Sequence, residues 1–386
     1  MESTKTIRIR NPGKLQGLQV LRGVAASLVV WCHLKYALGM SVSSIANHPW
    51  LATDIGAIGV DIFFVISGYV IALTAARLGK NWQAFLANRI SRIVPFYLLI
   101  SCFMLVRLVA LSGNLRVCLQ DYREIFNSFF FLPLLDRGGF TTPMCSNGWT
   151  LSFEFWFYLS FAILMSQIGQ RAGKALPAVM ATGVAITAIC YHSDNWFLPK
   201  FLFHPLTLEF CAGCLLYQLR NWMGLKMLVL LSLLLPAFLF WSNREQSLGQ
   251  HWQVLNQVSL GLLRAGLWGG FAVCLVGVVT QLDLKHPLNW PVVLLLVGDA
   301  SYSIYLIGPI VTTIIHGATY VLHLPTGATP TQVARGICFL ALDIGGGILS
   351  WKYVEVPLTS RAKKLLTRYV PVEVVPQPQT GMAAAS

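Results

Sequence analysis

The chain has 386 residues, of which 55% are hydrophobic and only 11% are charged, and its mean hydropathy is +0.63. Globular proteins carry about 25% charged residues, so a chain this poor in charge cannot cover a water-soluble fold of this size. The 28 Lys and Arg exceed the 15 Asp and Glu, but they are scattered between apolar runs without a basic stripe or zinc spacing, which excludes a nucleic-acid-binding module. We expect one membrane domain.

Apolar runs of the length that crosses a membrane as a helix, about 17 to 25 residues, recur along the chain. They predict an all-α fold, a polytopic integral membrane bundle of about ten transmembrane helices. The predicted spans are residues 17–38, 55–76, 93–111, 149–168, 176–191, 201–219, 227–241, 254–280, 292–316 and 336–354.

The basic residues predict the orientation of these helices. Ten spans put both termini on one side, and most Lys and Arg fall in segments on that side, as in cytoplasmic loops. The prediction is N-in and C-in, with a cytoplasmic segment at 1–16, the transmembrane domain at 17–357 and a basic, disordered cytoplasmic tail at 358–386. The apolar stretch from Leu18 to Leu38 is too long for a signal peptide, so we expect it to be retained.

Cysteine and histidine spacing gives no support for a metal site. The nine cysteines include one closely spaced pair, Cys211 and Cys214, without a second pair to complete a four-ligand set, and the eight histidines show no ligand spacing, so no metal is predicted. Cys118 and Cys145 both fall in the long outside loop between the third and fourth spans, where an oxidising compartment would permit a disulfide. The sequence leaves that pairing open.

The first span contains two ionisable residues, Arg22 and His33. Eleven residues are almost three helical turns, so the two share a helix face about 16 Å apart along the axis. Ionisable groups inside a membrane span are costly and mark functional sites unless they reach the interface. The alternative is that Arg22 reaches the inner interface while His33 lies near the outer headgroups.

Further charged residues lie in the second span and before the third. Asp61 contributes to a substrate site, or it forms an ion pair with an arginine of the bundle. Ser67 and Gly68 are small residues that favour close helix packing. Arg89 and Arg92 lie at the inner rim, where forked hydrogen bonds suit phosphate; the alternative is an orientation signal that meets anionic lipid.

The fourth and ninth spans carry polar and aromatic residues. Trp149 and Tyr158 are consistent with an aromatic belt at the membrane surface, but a belt does not explain Glu154. Tyr302 and Tyr305 lie within one helical turn of each other. Each of these signals is weak by itself.

Taken together and in order, these stretches resemble the acyltransferase 3 family of integral membrane enzymes. The first helix is similar to that of the family, which has an arginine, ten intervening residues and a histidine. The similar stretches are LQVLRGVAASLVVWCHL, GVDIFFVISGYVI, RISRIVPFYLL, WTLSFEFWFYL, SYSIYLIGP and YVEVP. The resemblance covers residues 15–357, nearly the whole predicted membrane domain.

The resemblance implies a membrane-bound O-acyltransferase of the bacterial inner membrane. Its donor would be cytosolic acyl-CoA, most often acetyl-CoA, with succinyl or longer acyl groups as alternatives. Its acceptor would be a hydroxyl of a surface glycan or of a lipid-linked glycan precursor. Membrane lipid is then the other expected partner, with no nucleic acid and no metal, and the oligomeric state is open.

The resemblance also implies residue roles. His33 would be the catalytic base, for which a neutral imidazole is suited near neutral pH. Arg22 would orient the site or hold an anionic group, Arg89 and Arg92 would bind CoA phosphates, and Glu154 would line the acceptor side or fix His33. The expected substrate-binding residues are Asp61, Trp149, Tyr158, Tyr302 and Tyr305.

The chain departs from the family pattern at Gly308, where many members carry a histidine after the double-tyrosine motif. This departure puts a second-histidine role in doubt and leaves a catalytically inactive scaffold as one alternative. A transporter or flippase is another, since intramembrane charges also form substrate pathways. Transporters often contain internal repeats, and the chain has no second copy of its second-span or fourth-span motif.

Overall fold

The computed structural model describes most of the predicted membrane domain, and the described part is almost entirely helical. The described residues are 15–37, 54–112, 122–132, 134–136, 139–141, 143–190, 197–226, 228–230, 251–285, 288–323, 329–368 and 370. The helices are α1 (Gln16–Ala37), α2 (Ile58–Leu78), α3 (Trp82–Ser112), α4 (Tyr122–Phe129), α5 (Trp149–Ile168), α6 (Ala172–Cys190), α7 (Phe197–Leu202), α8 (Thr207–Leu219), α9 (His251–Asn256), α10 (Val258–Arg264), α11 (Gly270–Lys285), α12 (Val292–Asp299), α13 (Ser301–Val321), α14 (Thr329–Ser350) and α15 (Val356–Thr367).

Short irregular elements connect some of these helices. Single 3₁₀ turns occur at Asp54–Ala57, Ser146–Gly148 and Gly169–Arg171, and π-helical turns at Ala265–Gly269 and Trp351–Glu355. Two three-residue strands, β1 (Leu134–Asp136) and β2 (Gly139–Thr141), form an antiparallel hairpin in which Leu135 is opposite Phe140. This hairpin lies in the segment between α4 and α5, outside the apolar helices.

Seven stretches of the described chain are long and apolar enough to cross a membrane, which confirms the predicted all-α membrane fold. They are Gln16–Leu34, Asp54–Leu78, Trp82–Ala110, Ser146–Cys190, Val258–Lys285, Ser301–Val321 and Ala334–Thr367. Ser146–Cys190 contains both α5 and α6, which are separated at Gly169, whose positive φ of 60° suits glycine. The number ten and the N-in orientation stay predictions.

Three predicted spans are interrupted in the structure, and one of them, 254–280, is broken near its start at Gln257, between α9 and α10. The run 201–219 is divided between α7 and α8 by a turn at 203–206, where Pro205 has no amide hydrogen to continue a helix. The run 292–316 is divided at Ala300 between α12 and α13. Hydropathy is averaged over a long window, so a short turn within a mostly apolar run leaves no trace in it.

Helix ends also differ from their predicted positions. Helix α3 begins at Trp82, well before residue 93, where its apolar run was predicted to begin. Its first turns carry polar residues on one side, so hydropathy did not assign them to the span. The chain is still helical after Pro357, and α15 extends to Thr367 through the start of the predicted tail. Proline is tolerated there because the first turn of a helix needs no amide donor. Most of the seventh predicted span, 227–241, lies outside the described residues.

Helix α2 lies at the centre of the bundle and is buried along most of its length. It packs against α1, α8 and α11. The ring of Phe210 in α8 stacks on Phe64 of α2 at 4.4 Å between centroids and on Phe157 of α5 at 4.8 Å. These stacked rings join three helices in the core that supports the cavity described below.

Glycines allow α2 and α8 to pack backbone against backbone. A Cβ atom on Gly68 would overlap the Phe210 carbonyl oxygen, and one on Gly213 would overlap the Val65 carbonyl oxygen. Small residues at such contacts are characteristic of helix packing in lipid, where van der Waals contact replaces the hydrophobic effect between helices. The structure thus confirms the packing role predicted for Gly68.

We expect Gly68→Ala to lower the stability of the fold, because α2 and α8 must separate to admit the methyl group. Overpacking of this kind costs about 1–3 kcal/mol. Gly345→Ala is the matched control, since Gly345 is also helical but has open space around its Cβ position. The midpoint of thermal unfolding in detergent should fall for Gly68→Ala alone. Equal midpoints for the two variants would contradict the backbone contact.

Candidate active site

A cavity opens between α1, α2, α3, α5 and α13, and charged and hydroxyl side chains form part of its largely apolar wall. Its lining residues are Arg22, Val60, Phe63, Phe64, Ile66, Ser67, Val70, Arg89, Arg92, Ile93, Thr150, Leu151, Glu154, Tyr158, Ser301, Tyr302 and Tyr305. Seven of the residues singled out from the sequence meet here, although they come from four different helices: Arg22, Arg89, Arg92, Glu154, Tyr158, Tyr302 and Tyr305. Three predicted residues, His33, Asp61 and Trp149, are outside the lining.

Three guanidinium groups give this cavity a positive wall. Arg22 extends from α1, and Arg89 and Arg92 from the first half of α3. Arg89 is held in place because one Nη donates a hydrogen bond to Thr74 Oγ1 at 2.9 Å and its Cζ lies 5.6 Å from the ring centre of Tyr158. Arginines aimed into one cavity suit an anionic ligand with several oxygen acceptors.

Glu154 lies on α5, opposite the arginines, and its side chain is fixed by two hydroxyl donors. Ser67 Oγ donates to Glu154 Oε1 at 2.8 Å, and Tyr158 OH donates to the same oxygen. Neighbouring positions of α2 therefore have different functions, since Ser67 faces the cavity while Gly68 packs on α8. With one oxygen occupied by two donors, the carboxylate is oriented before any ligand binds.

The far end of the cavity is held together by hydrogen bonds between α13 and the turn before α5. Tyr305 OH donates to the Asn147 carbonyl oxygen at 3.0 Å and bonds the Thr150 hydroxyl at 2.8 Å. Pro309 lacks the amide hydrogen that would bond the Tyr305 carbonyl in an unbroken helix. Asn147 Nδ2 donates to that carbonyl instead, at 2.6 Å. The proline thus creates the acceptor that fixes Asn147.

Tyr302 closes the side of the cavity next to α3. Its hydroxyl donates to the Ile93 carbonyl oxygen at 2.7 Å, and its ring packs edge-on against Phe96 at 5.9 Å. The next residue, Ser303, donates from Oγ to Glu355 Oε2 at 2.6 Å, which joins α13 to the π-helical turn after α14. The double-tyrosine motif therefore contacts both the α3 wall and the α5 wall.

His33 lies beyond the Tyr305 end of this cavity. It is partly buried in α1, and its Nδ1 atom is 4.0 Å from the position that a Cβ of Gly308 would take. Asn147 Nδ2 is 3.8 Å from the same point. Asn147 therefore touches both the cavity wall and the surroundings of His33. Sequence analysis did not single out Asn147, because a polar residue in a loop before a span carries no signal of its own.

Trp149 lies on the first turn of α5 without lining the cavity. Its ring packs edge-on against Phe153, with 6.2 Å between the ring centres. Its predicted part in substrate binding stays a prediction.

Asp61 forms a buried ion pair with Arg264, the structural alternative raised for it from the sequence. Arg264 Nη2 and Nε donate to the two carboxylate oxygens at 2.7 and 2.9 Å, and both side chains are 0% exposed. Arg264 also lies over the Trp268 ring at 4.8 Å, and Glu209 is buried close to the pair. A π-helical turn, Ala265–Gly269, follows Arg264.

The described residues contain no group of three or more His, Cys, Asp or Glu placed to hold a metal ion. Cys145, just before α5, is buried and is not joined to any described cysteine, while Cys118 lies outside the described residues. Burial raises the pKa of the Cys145 thiol to about 12. That thiol stays protonated near neutral pH, so it is not an activated nucleophile.

Comparison with known proteins decides the family. The model of the acyltransferase domain that defines the acyltransferase 3 family matches residues 15–346. The chain belongs to this family. The match covers α1 through most of α14, so it includes the whole cavity and the surroundings of His33.

Two relatives of this acyltransferase align with most of its length, and a third aligns with less than half of it. The exopolysaccharide production protein ExoZ of Rhizobium meliloti is 29% identical over 315 residues, which are 80% of this chain and 91% of ExoZ. The acyltransferase MdmB of Streptomyces mycarofaciens is 25% identical over 397 residues, covering 96% and 97% of the two chains. The O-acetyltransferase OatA of Staphylococcus aureus is 25% identical over 179 residues, 42% of this chain and 27% of OatA. No solved structure matches the chain.

Membership of the acyltransferase 3 family confirms the prediction of a multi-pass membrane acyltransferase. The enzyme transfers acyl groups other than amino-acyl groups. The transporter that the sequence left open as an alternative is therefore not supported.

The ion pair predicts how this acyltransferase responds to Asp61→Ala. Removing one partner of a buried pair leaves Arg264 charged in an apolar core and costs about 3–5 kcal/mol. We expect the midpoint of thermal unfolding to fall sharply, and the double variant Asp61→Leu with Arg264→Met to recover most of it. If Asp61→Ala instead keeps the wild-type midpoint and loses only acyl transfer, Asp61 serves the substrate and not the fold.

Proposed function

We propose that the protein is an O-acyltransferase of the bacterial inner membrane that uses acyl-CoA, most often acetyl-CoA. The acceptor is a hydroxyl of a cell-surface carbohydrate or of its lipid-linked precursor. The relatives ExoZ and OatA support this proposal, since the name of one refers to exopolysaccharide production and that of the other to O-acetyl transfer. The observation that carries it is the cavity whose wall combines three arginines with a fixed glutamate.

The arginine wall suits the donor. The nucleotide of CoA is rich in phosphate oxygens, and guanidinium groups bind phosphate with paired hydrogen bonds. In the predicted N-in orientation, Arg89 and Arg92 lie near the cytoplasmic end of α3, on the side where acyl-CoA is available. Arg22 faces the same cavity from α1 and can bind a further acceptor oxygen of the donor.

His33 is the proposed base, and it lies on the helix that carries Arg22. Eleven residues separate the two by about 16 Å along the axis, a distance suited to an elongated donor whose phosphates bind at one end and whose thioester reacts at the other. The acceptor oxygen attacks the thioester carbonyl carbon while its proton moves to His33. The C–S bond then breaks, and the CoA thiolate receives that proton from the imidazolium.

The other predicted residues have places consistent with substrate contact. Glu154, Tyr158, Tyr302 and Tyr305 line the cavity between the arginines and the turn that contains Asn147. We assign to them contact with the part of the donor that joins its nucleotide to the acyl group. This assignment requires no metal, because the histidine moves the proton and the arginines bind the donor charge.

We predict that Arg92→Gln weakens use of acetyl-CoA much more than use of acetyl-pantetheine, which lacks the nucleotide and its phosphates. Loss of a charge-assisted hydrogen bond costs about 1.5–3 kcal/mol, roughly a 10- to 100-fold loss in Vmax/KM. The assay uses host membrane vesicles with radiolabelled donor and endogenous acceptor. Arg107→Gln is the control, because Arg107 lies on the same helix but is exposed and outside the cavity. If Arg92→Gln lowers Vmax/KM equally for both donors, Arg92 does not bind the phosphates of CoA.

Deletion of the gene and complementation test the whole reaction. Mass spectrometry of surface polysaccharide should show an acyl increment with the wild type but not with His33→Ala at equal protein level. His316→Ala is the control, since His316 is an exposed histidine of α13. Full acylation by His33→Ala would overturn the assignment of the base, and absence of any wild-type increment would overturn the carbohydrate acceptor.

A further inference from the structure

A buried carboxylate outside the arginine-lined cavity has no place in the mechanism so far. Asp343 lies within α14 with 0% of its side chain exposed. Neither of its carboxylate oxygens has a hydrogen-bond partner among the described residues. A buried polar group without a partner is costly, and an ionisable residue inside a membrane span is a functional candidate by default.

The surroundings of Asp343 connect it with His33. The position that a Cβ of Gly308 would take is 3.2 Å from Asp343 Oδ2, 3.8 Å from Asn147 Nδ2 and 4.0 Å from His33 Nδ1. A carboxylate oxygen from α14, an amide nitrogen from the turn before α5 and an imidazole nitrogen from α1 therefore lie close to the same side of Gly308. A carboxylate and an imidazole face the same small space.

Gly308 keeps that space open. A methyl group there would lie 3.2 Å from Asp343 Oδ2, which is closer than ordinary van der Waals contact, and 4.0 Å from His33 Nδ1. The glycine is followed by Pro309, which releases the Tyr305 carbonyl to Asn147 and so fixes the amide next to the same space. The Gly308–Pro309 pair thus shapes both sides of the gap.

The atom of His33 that faces this space is Nδ1, and this determines what a carboxylate would do there. A carboxylate that accepts a hydrogen bond from Nδ1–H fixes the neutral tautomer in which Nε2 is the free base. It also stabilises the imidazolium that forms when Nε2 takes a proton, without becoming protonated itself.

We propose that Asp343 is a positioning residue for His33, accepting a hydrogen bond from its Nδ1–H through one water molecule in the space beside Gly308. This inference rests on the proposed function, in which His33 is the base. During transfer the acceptor hydroxyl proton moves to Nε2, while Asp343 holds Nδ1–H. The same Nε2 proton then passes to the CoA thiolate, so Asp343 ends each cycle unchanged.

The first test is Asp343→Asn in the full chain, assayed in host membrane vesicles with radiolabelled acetyl-CoA and endogenous acceptor. We expect apparent Vmax to fall at least about tenfold, as for other residues that orient a functional histidine, with KM for acetyl-CoA changed less than about twofold. The midpoint of thermal unfolding should not fall, since a neutral amide replaces a buried acid. A wild-type Vmax overturns the proposal, and so does a Vmax loss that only follows loss of folded protein.

A second variant leaves every polar group in place. Gly308→Ala puts a methyl group into the space beside Asp343 and His33 and should lower Vmax with little change in KM. Gly317→Ala is its control on the same helix, because its Cβ position is open. If Asp343→Asn does not accumulate in the membrane, the comparison of Gly308→Ala with Gly317→Ala tests the proposal alone. Equal Vmax for these two alanine variants overturns it.

The variant His33→Ala separates this inference from the proposed function. Loss of transfer in His33→Ala with full transfer in Asp343→Asn overturns the positioning role alone. Full transfer in His33→Ala overturns both, because Asp343 would then have no base to position.

Discussion

The cost of placing charge in lipid governs the arrangement of this protein. A bilayer offers no hydrogen bonds, so each ionisable group in a membrane span must find a protein partner, reach water or be retained for function. The structure contains all three solutions. Asp61 and Arg264 neutralise each other in the core, Arg22, Arg89 and Arg92 face a cavity, and Asp343 is buried without a partner among the described residues.

The same principle explains which site residues could be predicted from the sequence. Arg22, Arg89, Arg92 and Glu154 stand out because charge is rare in apolar runs, and the structure brings all four to one cavity. What the sequence could not supply was the partner of each group. Asp61 and Arg264 are 203 positions apart, and only the packing of α2 against the end of α10 decides between an ion pair and a substrate contact.

Other features had no sequence signal of the right kind. The breaks at 203–206 and Ala300 occur in apolar segments, so hydropathy merges the helices on either side. Asp343 was missed because one acidic residue in a glycine-rich helix had no recognisable neighbour. Gly308 was noticed only as a departure from the family pattern. Its physical meaning, a gap between a carboxylate and an imidazole, appears once three elements are packed around it.

Helix α13 connects the two halves of the proposed site through four residues that lie within about two helical turns. Tyr302 and Tyr305 contact the cavity walls, Gly308 leaves room beside His33, and Pro309 frees the carbonyl that Asn147 binds. The arginine-lined cavity and the proposed base are therefore coupled through one helix and one amide. A small displacement of α13 would alter both ends of the reaction path together.

The most direct test of this account is the structure of the full chain in a lipid nanodisc with a thioether analogue of acetyl-CoA, determined by electron cryomicroscopy. The account predicts nucleotide phosphates within hydrogen-bond distance of Arg89 or Arg92, and the analogue's sulfur and acyl carbon next to His33. A nucleotide bound outside the arginine-lined cavity, or an acyl group held far from His33, would contradict the central claim that one continuous path joins the arginines to the histidine.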